Sequence, residues 1–380
     1  MKRQSLGILV AAIGVLAAVV IIAPWLRHGP DVVRIGVVLP LSGDAATYGV
    51  SLRTGADLAL RRVNTDGGIG GHPVSLIYED SKASPKDAVT ALNKLISIDK
   101  THLVIGGMFS HTTIAMGPVA QRSRVVLLSP TASAMAVPQL GDYVFSIYPS
   151  DAQDGRFLAS ALAHRTTTGA TVAVVFSQVE AMETCKDAFA ARLNELGHPE
   201  IVLQEPLPQG AQDLTPVVAR IAVEKPDWVF LATFLPETAQ ILRKAHQQAL
   251  DVKFLGISTC YDPKLFELAG SSSAGLLFSA PAFDESSDVS AIRQFVKEYE
   301  GEYGRKPDVW AAYGYDAVMI AAESLRRCAG DLNGLRDALG GIRGFEGATG
   351  TTTIKEDGSS DKSLRLLTVD SHNKRFLPSE

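Results

Sequence analysis

Cysteine is scarce. Cys185, Cys260 and Cys328 stand far apart among 380 residues with no CxxC pair, which argues against a disulfide scaffold, a zinc ribbon or a thioredoxin-type redox site and allows one bridge at most. The eight histidines never fall three or four apart, so no helix presents a histidine pair to a metal. HExxH, Walker A and GxSxG patterns are missing as well. No metal or cofactor is expected. Excess positive charge is also lacking, with 36 Lys+Arg against 41 Asp+Glu. Three bases (Lys2, Arg3, Arg27) fall in the first 30 residues, which hold no acid, so the remainder carries 33 bases against 41 acids, a net charge of −8. A nucleic-acid binder needs the opposite sign. With 46% hydrophobic and 20% charged residues, the chain can pack more than one core and has no composition for long disorder.

Charge is absent again from residues 6–26, a run of 21 closed by Arg27 and preceded by Lys2 and Arg3. A secretory signal has an apolar core of about 7 to 15 residues, whereas a spanning helix needs about 20. Residues 1–30 therefore read as a signal or anchor segment, with length favouring an anchor in the inner membrane. Basic residues ahead of the run leave Met1 inside and the rest of the chain outside, in a periplasmic or extracytoplasmic location. No cysteine lies near enough for a lipid tether.

From Asp31 onward, short β-branched runs alternate with amphipathic stretches of helical length. Strands are predicted at 33–39, 74–78, 103–105, 125–128 and 143–147, with helices at 47–63, 85–98 and 113–121 between them. A second series follows Pro149, with strands at 171–176, 201–204, 228–232, 253–257 and 275–279. The region after 280 brings helices at 289–303, 309–328 and 333–339, then paired β segments at 350–355, 364–370 and 374–377 that read as a closing meander. The expected fold class is α/β, two doubly wound Rossmann-like units in series. In such sheets a ligand binds beyond the carboxyl ends of parallel strands. There the sequence turns small and hydroxyl-rich: residues 40–49 (PLSGDAATYG), 106–113 (GGMFSHTT) and 129–133 (SPTAS). Each leads toward a helix start, whose free N–H groups suit a carboxylate. Taken singly, Ser42, Ser110 and Ser133 also fit ordinary N-caps.

The opening Ile35-Gly36-Val37-Val38-Leu39-Pro40-Leu41-Ser42-Gly43 with Tyr48-Gly49, the segment Gly67-Gly68-Ile69-Gly70-Gly71 with Asp80, the loop 107–113, the stretch 129–133 and Pro226-Asp227 occur in an order that resembles the leucine/isoleucine/valine-binding proteins, over roughly residues 33–377. The resemblance implies type I periplasmic-binding-protein lobes, 31–149 with 281–359 and 150–280 with 360–380, joined by three hinge crossings. It also implies closure on a small solute, an amino acid or a related carboxylate or amide, for delivery to the permease of an ABC importer. Ser110 and Ser133 would hold the ligand carboxylate. Thr131 would offer a backbone carbonyl to its ammonium, and Tyr48 would pack over it. The second half departs from the family pattern: Ala181 stands where an aromatic belongs, Phe234 replaces a tyrosine, and the acid expected near the ligand ammonium falls at Ser258. Either Glu180, Glu183 or Asp262 then supplies the charge from a neighbouring position, or the ligand lacks an ammonium. Asp316 reads as structural, Cys260 as a small apolar filler, and the neighbouring Ser110 and His111 lack the third group of a hydrolase. The apolar amino terminus motivates one alternative, a membrane-tethered ligand-sensing receptor subunit. An enzyme is not expected.

Overall fold

The computed structural model describes residues 32–208, 210–329 and 331–379; the predicted signal or anchor at 6–26 lies outside the described residues. Among the described residues no helix is long and apolar enough to cross a membrane. Strand β1 (Val33–Leu39) sends Ile35, Val37 and Leu39 into one core and Val38 into another. Both faces are covered past the exposed Arg34, so the strand is apolar from Ile35 to Leu39 instead of alternating. It pairs in parallel with β2 (Val74–Asp80) and β3 (Leu103–Gly106), and β4 (Val126–Ser129) and β5 (Val144–Ser146) extend the sheet in the order β2-β1-β3-β4-β5. Helices α1 (Ala46–Thr65), α2 (Pro85–Ser97) and α3 (Ser110–Ser123) connect these strands. Strand order reverses between β2 and β3 around β1, so the loops after β1 and β3 open side by side.

The second lobe begins with α4 (Asp151–Arg165) and continues through β6 (Thr171–Ser177), α5 (Glu180–Leu196), β7 (Glu200–Leu207), α6 (Thr215–Glu224), β8 (Trp228–Ala232), α7 (Leu235–Gln247), β9 (Lys253–Gly256), α8 (Lys264–Leu268) and β10 (Leu277–Pro281). Helix α5 stops at Gly197, whose φ of 79° is left-handed, a conformation open to glycine without a Cβ penalty. Phe189 of α5 stacks on Phe230 of β8 with ring centroids 4.0 Å apart in the core beneath.

The chain then returns to the first lobe, where α9 (Ser290–Tyr303), α10 (Val309–Arg327) and α11 (Leu335–Gly340) join the core that holds β1 and α1. Helices α10 and α1 touch backbone to backbone. A Cβ on Gly55 would stand 1.8 Å from Ala311 O, and one on Gly314 would stand 2.0 Å from Leu52 O, so only glycine fits at either position.

The expected closing meander is divided between two sheets. β12 (Gly350–Ile354) pairs antiparallel with β11 (Phe345–Gly347) and β13 (Ser360–Lys362) in a three-stranded sheet. β14 (Leu364–Asp370) instead pairs antiparallel with β10 and β15 (Arg375–Pro378) and completes a seven-stranded sheet ordered β15-β14-β10-β9-β8-β6-β7. Only Ser363 separates β13 from β14, and hydrophobic alternation says which face a strand buries, not which sheet it joins. Chain passages between lobes also lie between β5 and α4 and just after β10, since Phe283 already packs in the first core. Cys185, Cys260 and Cys328 are all free thiols.

Candidate functional site

A cleft of about 970 Å³ opens at the carboxyl ends of the parallel strands, walled by both lobes and lined among others by Tyr48, Thr131, Ser133, Phe234, Ser258 and Asp262. The first-lobe wall is built from loops that brace one another. Asp80 Oδ1 accepts from Leu41 N and Lys82 N, each at 2.8 Å, and Ser42 Oγ donates to the same carboxylate. Although burial raises the Asp80 carboxyl, these bonds hold it below its ordinary value. Thr131 Oγ1 donates to Met108 O at 2.6 Å and Ser129 Oγ donates to Gly107 O at 2.7 Å, tying the loops after β3 and β4 together. Ala134 N donates to Ser110 Oγ at 3.2 Å.

None of the three serines is an N-cap. Ala45 and Phe109 occupy the caps of α1 and α3, and the cap of α4 is Ser150. The structure brings Tyr48, Thr131, Ser133, Ala181, Phe234, Ser258 and Asp262 to the cleft. Ser110 stands directly behind the lining residue Phe109 as the first residue of α3. Glu183 is exposed on α5 and does not line the cleft. His111 does not face Ser110; its Nε2 lies 3.0 Å from Ala83 O and its ring stacks on Phe109. Asp316 is fully buried and accepts from Ala348 N at 2.7 Å and Thr349 N at 2.8 Å, with Lys362 Nζ 3.9 Å away. Its role is structural. Cys260 is buried, and burial pushes its thiol up to about 12, so no thiolate is offered.

The cleft holds residues that the sequence did not single out. Trp310 meets Tyr48 edge to face at 5.6 Å, and Tyr148 packs on Tyr313 at 5.0 Å. Arg365 of β14 forms an ion pair with Asp284 and donates to Pro281 O at 3.1 Å. Asp151 and Asp154 project from the first turn of α4. Burial pushes Asp151 up to about 7, with the charges of Asp154 and Glu180 adding to the rise and a hydrogen bond from Ser133 opposing it. Burial also raises Asp154, against the opposing hydroxyls of Ser279 and Ser258. A signal for Asp154 was present, because Asp154, Leu158 and Leu162 share the buried face of α4. An acid on an apolar helix face is the informative exception.

A second cavity, of about 580 Å³, lies beside α11 and is lined by Arg336, Asp142 and Lys355. Its cations are already engaged, Arg336 with Asp142 and Asp337, Lys355 with Asp361, and Arg343, also in the lining, with the carbonyls of Gly340 and Ile342 at 2.6 and 3.0 Å.

The periplasmic binding protein family model matches residues 32–374. The chain belongs to the periplasmic binding protein family. Members of this family are binding proteins. The leucine-, isoleucine-, valine-, threonine- and alanine-binding protein of Pseudomonas aeruginosa is 24% identical over 331 residues, 86% of this chain and 87% of its own length. The crystal structure of a putative branched-chain amino acid ABC transporter from Rhodospirillum rubrum superposes with a TM-score of 0.81 at 28% identity, covering 92% of this chain and all of that one. A solute-binding protein of an ABC transporter from R. palustris, in complex with benzoate, superposes with a TM-score of 0.71 at 21% identity, covering 92% and 95%.

Proposed function

We propose that this periplasmic binding protein works outside the cytoplasm, closing its lobes, 31–149 with 281–359 and 150–280 with 360–380, around a small carboxylate-bearing solute and delivering it to the permease of an ABC importer. Amino acids are the leading ligand class. The observation that carries this reading is the shared cleft, with hydroxyl-bearing loops on one wall and a partly exposed aromatic on each side, Tyr48 at 40% and Phe234 at 37% exposure. Closure would bury both rings and remove water from the polar contacts, which strengthens them. Residues 6–26 would serve as export signal or anchor. A thermal-shift screen of the purified chain against amino acids, amides, short peptides and aromatic carboxylates tests the reading. A ligand at about 100 times its dissociation constant stabilises the native state by about 2.7 kcal/mol, and the melting temperature should rise with no compound consumed. Turnover of a stabilising compound would refute a pure binding role.

A second reading concerns the ligand alone. Ser258 brings no charge to the second-lobe wall, and a ligand without an ammonium, such as an aromatic carboxylate, needs none. The benzoate complex of the R. palustris protein shows that this fold accommodates such a solute.

A further inference from the structure

The cleft is acidic. Six carboxylates line it (Asp151, Asp154, Asp262, Asp284, Glu285 and Asp308) against two guanidiniums, Arg365 and Arg375. Four of the six already have close partners within the protein. Asp284 holds Arg365, Glu285 holds Lys306 at 2.9 Å, Asp308 caps α10 by accepting from Ala311 N at 2.8 Å, and Asp262 accepts from Lys264 N at 2.8 Å. The two acids of α4 are different. Asp154 is 8% exposed, its Oδ1 makes no hydrogen bond among the described residues, its Oδ2 accepts a long 3.5 Å bond from Ser258 N, and the groups that oppose its rise are the neutral hydroxyls of Ser279 and Ser258, with no cation paired to it among the described residues. Asp151 Oδ2 is likewise buried without a partner.

A buried carboxylate without a cation is expensive, and natural folds retain one mainly where something arrives to pair with it. The positive end of the α4 dipole offsets part of that cost, yet a surface acid in the same turn would serve the helix equally well without burial. We propose that Asp154 is the ligand-binding residue that neutralises an ammonium group of the solute, and that it makes the cleft select zwitterions over plain carboxylates. The inference rests on the solute-binding reading above and names its ligand class.

Position supports it. Asp151 N donates to Ser133 O at 3.3 Å, so the acidic first turn of α4 adjoins the hydroxyl loop that would hold a carboxylate. In an α-amino acid the two poles are separated by one carbon, which matches adjoining walls. Asp154 also reaches the backbone of Ser258, so the charge absent from the Ser258 side chain is present at the same place from another element.

The test is calorimetry on the full chain and its Asp154→Asn variant, using α-amino acids each paired with its α-hydroxy twin (leucine with 2-hydroxy-4-methylpentanoate, alanine with lactate), together with benzoate. The wild type should bind an amino member about 100-fold more tightly than its twin, and Asp154→Asn should erase most of that ratio, as expected for removing one partner of a desolvated charged pair. The apo variant should melt no lower than the wild type, because it exchanges an unpaired buried charge for an amide; Asp154→Ser provides a second, smaller replacement if the amide disturbs folding. Retained discrimination in both folded variants overturns the inference. So does wild-type binding of the hydroxy twin or benzoate as tight as that of any amino acid, an outcome that leaves the solute-binding reading intact. If no compound of the panel binds either protein, both fall.

Discussion

On the first-lobe wall of the cleft, Thr131, Ser129 and Ser146 each donate to a backbone carbonyl at 2.6–2.7 Å, and Ala132 N returns a bond to Ser129 Oγ at 3.0 Å. On the second-lobe wall, Asp154 Oδ2 accepts from Ser258 N at 3.5 Å, Oδ1 has no hydrogen-bond partner, and no cation pairs with the carboxylate among the described residues. One wall is a finished hydrogen-bond network that holds loops in place before any ligand arrives. The other keeps unspent charge. The contrast suggests a division of labour, in which the first lobe supplies a preorganised cradle and the second decides which solute is worth closing on.

Breaking the cradle should have the largest effect. Ser110→Ala combined with Ser133→Ala removes the two hydroxyls proposed to hold the ligand carboxylate, and at about 1.5 to 3 kcal/mol for each bond to a charged group calorimetry should show affinity reduced about 100-fold or more. The melting temperature of the apo protein should change little, since the braces through Thr131 and Ser129 remain. An undiminished affinity would remove these serines from the site. On the other wall, Phe234→Ala should weaken binding by roughly tenfold, the equivalent of about 1.4 kcal/mol of lost apolar burial on closure. Binding unchanged by that substitution would mean the ring stays in water when the ligand is held.

The smallest expected effect is on pH dependence. Asp151 is raised by burial to about 7 from 3.8, so between those values the native state binds more protons than the unfolded chain. Stability from this group is therefore greatest at low pH and declines as pH rises through that window. Melting curves of the apo protein from pH 5 to 8 should flatten in Asp151→Asn, and an ammonium ligand should bind more tightly above pH 7, where the carboxylate form prevails. An identical pH profile in wild type and variant would show that Asp151 carries its charge throughout.

The two walls also differed in how well the sequence disclosed them. The first-lobe loops are local: Pro40 to Gly49 follows one strand and leads into one helix, so position beyond the strand end marked the loops, and the family resemblance picked out Tyr48, Thr131 and Ser133 within them. The strands and long helices were legible for the same reason, because β1 is apolar on both faces and α5 ends at a glycine. Asp154 shows in the sequence only as an acid on the apolar face of α4; its place at the cleft comes from tertiary structure, because α4 turns it toward the loop after β9, 104 residues away. Trp310 and Arg365 likewise reach the cleft from returns of the chain after the second lobe, and the separate sheets of β13 and β14 depend on a crossing at a single serine that hydrophobic pattern does not register.

Solute capture by lobe closure is tested most directly by a distance across the cleft. Spin labels on cysteines introduced at Asp44 and Lys264, in a Cys328→Ser background with Cys185 and Cys260 buried, would report the separation of the loop before α1 from the start of α8. Saturation with the compound giving the largest thermal shift should replace the apo distance distribution with a shorter and narrower one. An unchanged distribution at saturation, with binding verified on the same sample, would contradict closure as the response to ligand.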